Sequence, residues 1–369
     1  MIIDNQNQKS VYYTHGFHPY PAKYTPQLVN KYFKLFCESG WTILDPFCGS
    51  GTAVVEGALN GMNTVGIDLN PIASLISKAK SNRYNSADLR LAEDIIWQLQ
   101  ALNGSAPRNA VIPDFPNRNH WFQDNVCVEL AAIKQKIDEM KNDKVKDLLA
   151  CAFSKIIVQV SNQDSEVRYT AKNKNHPDGI VYDLFVQTLS NYIRVLKSGE
   201  YSILSETEIL NGDARIELRK FPDAYFDFVI TSPPYINTFD YYLYHKLRMF
   251  WLGYDHRPVR ANEIGNHHRI DTKSFETAKV EYIDSMVEVI REISRVSKPL
   301  SRFIMVIGDG IVDGITIEMS GIISAIAQQA HYEVESVESV NLWDITRSFN
   351  KKFANAPKKE HTIILRNRK

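Results

Sequence analysis

The chain has 369 residues, 44% of them hydrophobic, which is enough to bury one large core together with a smaller domain. Its formal net charge is zero, so overall charge indicates no polyanionic partner and only a local cluster of charge can do so. The four cysteines show no Cys-x-x-Cys spacing, which argues against a zinc site and a disulfide framework. Residues 1–10 lack the apolar core of a signal peptide, and no run of 18 apolar residues predicts a membrane span. We therefore expect a cytoplasmic protein with neither metal nor membrane partner.

The first predicted strand and helix enclose a ligand-binding turn. The run Trp41–Leu44 leads into Asp45-Pro46-Phe47-Cys48-Gly49-Ser50-Gly51-Thr52, and a helical stretch follows from Ala53 to Leu59. Glycines at a strand-to-helix turn let a ligand approach the backbone, as in nucleotide-binding sheets. Position 54 is valine and no lysine follows, so the turn matches neither the dinucleotide fingerprint nor a phosphate loop. Asp45 at the strand end favours a ligand with positive charge, such as an ammonium or sulfonium.

Two further predicted strands also end in acids. Thr64–Ile67 is followed by Asp68, whose carboxylate can accept hydrogen bonds from two ribose hydroxyls. Glu208–Asn211 is followed by Gly212 and Asp213, which can meet an adenine amino group. Three acids at three successive strand ends fit S-adenosylmethionine.

Residues 81–200 interrupt this alternation and are predicted to form a helical insert. Apolar residues recur at helical spacing from Leu130 to Met140 and from Phe185 to Leu196. The insert has 15 basic and 15 acidic residues, so its charge assigns it no partner. Ser161–Asp178 is predicted to be a polar loop.

A second candidate site follows the buried run Phe226–Ile230, which ends in Thr231-Ser232-Pro233-Pro234-Tyr235. Two prolines stop the strand in a fixed, extended corner. There a backbone carbonyl and the Ser232 hydroxyl can accept hydrogen bonds from an exocyclic NH2 group, while Tyr235 offers a flat face to a base.

The remaining sequence offers weaker signals. Tyr241, Tyr242 and Lys246 are candidates for the wall of a base pocket. Gly308-Asp309-Gly310 is expected to be a plain exit from the strand Arg302–Ile307. Between the candidate last strands, Val334–Leu342 and His361–Leu365, lies a basic stretch that would contact phosphates; its cations are Arg347, Lys351, Lys352, Lys358 and Lys359.

Together with His18-Pro19-Tyr20-Pro21-Ala22-Lys23-Tyr24-Thr25-Pro26, these blocks resemble the DNA amino-methyltransferases, which methylate N4 of cytosine or N6 of adenine. The resemblance covers residues 11–80 and about 205–369. It implies that the N-terminal block, with Lys23 and Tyr24, packs against the methionine end of S-adenosylmethionine. It further implies a cofactor site, with Asp45 at the amino-acid end, Asp68 on the ribose and Asp213 on the adenine, formed with Pro46, Phe47, Gly49, Gly51 and Thr52. Ser232, Pro233, Pro234 and Tyr235 would hold the target base.

The expected fold is α/β, a Rossmann-like seven-stranded methyltransferase sheet with a last antiparallel hairpin and a helical insert. We divide the chain into an N-terminal motif and cofactor-binding half (1–80), an insert that is a candidate for target recognition (81–200), and a catalytic half (201–369).

The expected function is methylation of cytosine N4 in a specific double-stranded DNA sequence after base flipping, within a restriction-modification system and with a restriction endonuclease as a potential partner. Ser232 favours cytosine N4, because serine is the common choice of that subclass. Adenine-N6 methylation is the alternative, and an RNA base amino-methyltransferase or a non-catalytic DNA-binding relative is less favoured. Methylation at carbon 5 of cytosine is excluded, because that family presents its thiolate in a Pro-Cys pair and no cysteine here follows a proline.

Overall fold

The structure is a computed structural model that describes residues 12–21, 23–101, 110–166, 168–236, 240–265, 275–312, 315–341 and 358–369. In chain order, its strands are β1 Thr42–Asp45, β2 Asn63–Asp68, β3 Gln163–Ser165, β4 Arg168–Ala171, β5 Thr207–Asn211, β6 Phe226–Thr231, β7 Ser297–Gly308, β8 Gly310–Val312, β9 Ile315–Ile317, β10 Tyr332–Asn341 and β11 Lys359–Asn367. Its α-helices are α1 Pro26–Phe36, α2 Thr52–Leu59, α3 Pro71–Ser81, α4 Ser86–Ala101, α5 Arg118–Trp121, α6 Asp124–Glu139, α7 Asp143–Val160, α8 Ile180–Lys197, α9 Ala214–Glu217, α10 Tyr241–Leu252, α11 His256–Asn262, α12 Phe275–Val296 and α13 Met319–Gln329.

The main sheet has seven strands in the order β10-β11-β7-β6-β1-β2-β5. The pairs β1–β2, β1–β6, β2–β5 and β6–β7 are parallel, whereas β11 pairs antiparallel with both β7 and β10. This order and the antiparallel last hairpin confirm the predicted fold. Because β1 and β6 are adjacent and parallel, the turn after Asp45 and the corner after Thr231 lie at the same edge of the sheet.

Helices cover both faces of the sheet because successive strand residues point to opposite sides. On one face, Ile43 and Phe228 pack against α1 through Phe33. On the other, Leu44 and Val229 belong to a cluster with α12 and α13. Burial on both faces explains why these strands are nearly continuous apolar runs.

The insert between α3 and β5 is helical, as predicted, and also contains a short β3–β4 hairpin where the sequence indicated only a polar loop. Its two ends meet, since the Arg83 guanidinium donates to the carbonyl of Ile203 at 3.0 Å. The insert is not packed in isolation: Leu247 and Trp251 of α10 share one hydrophobic cluster with helices α6, α7 and α8.

Across the described ranges, none of the helices combines the length and apolarity needed to cross a bilayer. A search of the same ranges finds no group of three or more His, Cys, Asp or Glu side chains arranged to hold a metal ion.

Candidate active site

The turn between β1 and α2 requires glycine at two positions. Gly49 and Gly51 both have positive φ, at 50° and 74°. A Cβ at Gly51 would lie 2.7 Å from the Ser77 Oγ, and one at Gly49 would lie 3.0 Å from the Tyr20 ring. The glycines therefore let the turn lie close against α3 and the N-terminal block.

Asp68 holds this turn from the neighbouring strand. One of its carboxylate oxygens accepts a hydrogen bond from the Gly49 amide at 2.8 Å, and the other accepts one from the Asn70 amide at 2.8 Å. Burial raises the pKa of Asp68 to about 6, while these two amides favour its charged form. At neutral pH the group is thus a carboxylate with lone pairs left for a ligand.

Asp45 joins the three sequence blocks. It is almost fully buried, and it accepts hydrogen bonds from the Tyr24 hydroxyl at 2.6 Å and the Thr231 hydroxyl at 2.6 Å. Its own turn adds the Phe47 amide at 3.2 Å. Burial raises the pKa of Asp45 to about 6, and these hydrogen bonds oppose that rise. Asp45 thereby ties the N-terminal block and the end of β6 to the glycine turn.

One cleft of about 840 Å³, partly open to solvent, lies at this edge of the sheet. Ten of the fourteen residues predicted for the site line it: Lys23, Tyr24, Pro46, Phe47, Gly49, Thr52, Asp68, Asp213, Ser232 and Pro234. The structure therefore brings the three separate blocks of the sequence together around one space.

The other four predicted residues support this lining from behind. Asp45 lies beneath the turn, Gly51 packs on α3, and Pro233 is buried. The Tyr235 ring lies against Gly308, and its hydroxyl is 3.2 Å from the Ser232 Oγ. The aromatic rings that do face the cleft belong to Tyr20, Tyr24, Tyr241 and Phe47.

Asp213 is placed at the cleft with much of its carboxylate already engaged. It caps the N-terminus of α9 through the Arg215 amide and forms a two-point ion pair with the Arg215 guanidinium, with contacts of 2.5 to 3.1 Å. Arg215 also donates to the carbonyl of Asn262 at 3.3 Å, so α11 is attached to this side of the cleft.

Glu263 is a carboxylate in the cleft that the sequence did not indicate. Its side chain accepts a hydrogen bond from the Tyr241 amide at 2.8 Å and a longer one from the Tyr242 amide at 3.5 Å, at the N-terminus of α10. Burial, together with the charges of Asp240 and Asp68, raises its pKa to about 8, while the two amide hydrogen bonds oppose that rise. No local pattern identifies Glu263, because its partners lie 21 and 22 residues away.

Ser50 is a second residue in the cleft that had no predicted role. Its side chain is buried, and within the described ranges its hydroxyl has no hydrogen-bond partner. Buried hydroxyls normally have a partner, so this one fits a ligand that supplies it.

The prediction that Gly308-Asp309-Gly310 simply leads out of the sheet is wrong. Asp309 is buried; its carboxylate accepts hydrogen bonds from the amides of Met319 and Lys359 and lies 2.9 Å from the His361 imidazole. The opposite nitrogen of His361 is 2.8 Å from the Ser339 hydroxyl. This network secures the last hairpin beside the corner that follows β6. Local sequence patterns do not reveal it, because its members are far apart in the chain.

The predicted basic stretch is described only at its end. Lys358 precedes β11 and Lys359 begins it. Arg347, Lys351 and Lys352 lie outside the described residues, so the phosphate contact predicted for this stretch stays a prediction.

Comparisons with known proteins agree with this geometry. A profile of the family described as DNA methylase, of the N6/N4 methyltransferase type, matches residues 3–79. The Type II methyltransferase M.MvaI of Kocuria varians is 27% identical over 377 residues, covering 87% of this chain and 82% of that protein. The Type II methyltransferase M.MjaII of Methanocaldococcus jannaschii is 21% identical over 399 residues, covering 84% of this chain and 74% of that protein.

Among solved structures, a SAM-dependent methyltransferase from Methanosarcina mazei aligns with 95% of this chain and 99% of its own, at 10% identity and a TM-score of 0.35. That likeness is too distant to support an argument about fold or function. The profile match, the two relatives aligned over most of their length and the sheet order agree with one another. These similarities support the assignment of the chain to the DNA amino-methyltransferases and do not distinguish the N4 from the N6 type.

Proposed function

We propose that this protein transfers a methyl group from S-adenosylmethionine to an exocyclic amino group of DNA, and that the acceptor is N4 of cytosine. The observation that carries this proposal is the shared cleft: Gly49 and Asp68 line it on one side, and Ser232 and Pro234 line it on another. A donor and an acceptor bound there would be close enough to react directly.

The cleft fits S-adenosylmethionine. Asp68 offers carboxylate oxygens to ribose hydroxyls, and the Ser50 hydroxyl has no partner among the described residues. Asp68 at the cleft and Asp45 beneath the turn are both charged at neutral pH, and their negative charge favours a ligand with ammonium and sulfonium groups. When bound, the cofactor supplies an electrophilic methyl group.

The corner after β6 supports the choice of acceptor. An exocyclic amino group is conjugated with its ring, so the site must hold both N–H bonds while the nitrogen becomes pyramidal. The Ser232 Oγ and the Pro233 carbonyl accept those bonds in our proposal. Tyr282 donates to the Pro234 carbonyl at 3.1 Å, which fixes the corner from α12. No strong base is required, because the methylated nitrogen becomes acidic and loses its proton to solvent.

In our proposal the substrate is double-stranded DNA, and the match to a DNA methylase family and to the two Type II methyltransferases named above supports it. The target amino group lies inside the duplex, so the nucleotide must be flipped out, at a cost of a few kcal/mol. Assignment to cytosine depends on Ser232, which is typical of N4 enzymes. A cytoplasmic setting and a cognate restriction endonuclease belong to the same proposal.

Single-turnover transfer with saturating cofactor and DNA, followed by digestion to nucleosides, tests the proposal. We expect N4-methylcytosine as product. Ser232→Ala should slow transfer by roughly tenfold, the value of one neutral hydrogen bond, while DNA affinity changes little. Ser39→Ala, at an exposed position before β1 and away from the cleft end of that strand, is the matched control and should transfer at the wild-type rate. Recovery of N6-methyladenine would overturn the cytosine assignment, and absence of methylation in any DNA would contradict the proposed reaction.

A further inference from the structure

One face of α10 carries an unusual series of side chains. Tyr242, Lys246 and Phe250 follow one another at intervals of four residues, so they lie on the same side of the helix. At 1.5 Å per residue, the series extends about 12 Å. The Lys246 amine lies over the Phe250 ring, 5.8 Å from its centre.

The next helix, α11, places two basic side chains along this face. The Arg260 guanidinium lies 5.7 Å from the centre of the Tyr242 ring, and the His256 ring is 5.1 Å from the Phe250 ring. The two helices thus run antiparallel, with Lys246 between the two contacts. We call Lys246, His256 and Arg260 the basic row.

Like charges in the basic row oppose one another. Burial, and after it the charge of Arg260, lowers the pKa of Lys246. Burial, and after it Lys246, lowers the pKa of His256. The nearby Asp255 forms an ion pair with Arg257, and within the described ranges no carboxylate forms an ion pair with Lys246. The two cations Lys246 and Arg260, with the His256 ring beside them, attract an anion that relieves their repulsion.

The Arg260 end of the basic row lies near the cleft, and the row extends from there along α10. Its two helices also supply cleft-lining residues: Tyr241 begins α10, and Val259 and Asn262 belong to α11. Arg260 directly follows Val259 in the chain. A nucleotide strand that delivers a base to the cleft therefore passes close to the basic row.

We propose that Lys246, His256 and Arg260 bind the phosphates of the DNA strand that carries the target base. This inference depends on the proposed function, because it assigns a DNA contact beside the same cleft. The row holds the backbone in place and reads no sequence, since phosphate contacts carry no base information. Tyr242 and Phe250 act as supports that keep the cations on the surface.

The test is the salt dependence of DNA binding by the full-length double variant K246Q/R260Q. Glutamine removes each charge but keeps part of the stem that covers the aromatic ring. A matched control, K220Q/R291Q, removes the same charges at exposed positions outside the insert, α10 and α11. Affinities for target and non-target duplexes are measured from low to moderate salt, together with cofactor affinity and thermal unfolding.

We expect the plot of log affinity against log salt to become less steep by about 1.8 in K246Q/R260Q, because each phosphate contact contributes about 0.9. Target and non-target duplexes should weaken equally, cofactor affinity should be unchanged, and K220Q/R291Q should match the wild type. If the wild type methylates DNA but the slope is unchanged in K246Q/R260Q, or if the control flattens the slope equally, the phosphate contact proposed for the basic row is wrong and the proposed function still stands. A wild type that neither binds nor methylates DNA would refute the proposed function, and stronger binding of an RNA duplex would reassign the row to RNA.

Discussion

Replacing Gly308 with alanine tests how strictly the corner after β6, with Ser232 and Tyr235, must be positioned. A Cβ at this position would lie 2.9 Å from Cε2 and 3.3 Å from Cδ2 of the Tyr235 ring, whereas ordinary contact is 3.4–4 Å. The backbone at Gly308 is outside the left-handed region, so alanine strains only this packing. The ring must move by about 0.5–1 Å, at an overpacking cost of roughly 1–3 kcal/mol. Movement of Tyr235 disturbs its 3.2 Å contact with Ser232.

We expect Gly308→Ala to slow single-turnover methyl transfer by up to about 100-fold, the scale for a 1 Å misplacement of reacting groups. Cofactor affinity should stay at the wild-type value, because neither Gly308 nor Tyr235 lines the cleft. Gly321→Ala is the control, since a Cβ there meets nothing within 4 Å and alanine favours the helix α13. A folded Gly308→Ala protein with wild-type transfer would refute the link between Tyr235 and the chemistry.

Three further predictions address other parts of the site. Asp68→Asn should weaken S-adenosylmethionine binding by roughly 1.5–3 kcal/mol, the value of a hydrogen bond to a charged group, and unchanged affinity in calorimetry would remove Asp68 from the ribose. The raised pKa of Glu263 means that the folded protein keeps a proton which the unfolded chain releases near 4.5, so this residue's contribution to stability falls as pH rises from 4.5 to about 8. Glu263→Gln should therefore lose less stability than the wild type between pH 5 and pH 8.5 in urea unfolding, and parallel losses would contradict the burial argument. Neutralising Lys351, Lys352, Lys358 and Lys359 together should flatten the salt dependence of DNA binding for every sequence, and an unchanged slope would leave that stretch without a phosphate contact.

The sequence predicted the sheet well because its strands are short buried runs that end in recognisable turns. Trp41–Leu44 and Phe226–Ile230 both became central strands, with Asp45 and Thr231 at their shared edge. Local patterns and the family blocks together predicted most of the residues that line the cleft. Glycines and prolines determine the backbone conformation of the turns in which they occur, and acids at strand ends lie at the edge of the sheet.

Features that depend on distant partners escaped prediction. Glu263 is defined by amides of α10, and Asp309 by groups 10 and 50–52 residues away. The hairpin β3–β4 also escaped, because its polar residues have no alternating apolar pattern and its support comes from outside. Arg248 of α10 holds it through Glu166 at 2.6 Å.

The meeting of the insert's two ends near Arg83 and Ile203 has a consequence for how such proteins diversify. A segment that leaves and rejoins the sheet at one place can be lengthened or exchanged with little effect on the strands, because closing a longer loop costs only slightly more entropy. The contacts of Leu247 and Trp251 with the insert impose a limit, since a replacement must again cover that side of α10. New segments can therefore be accepted during evolution if they preserve one apolar surface, while the edge of the sheet that bears the chemistry stays unchanged.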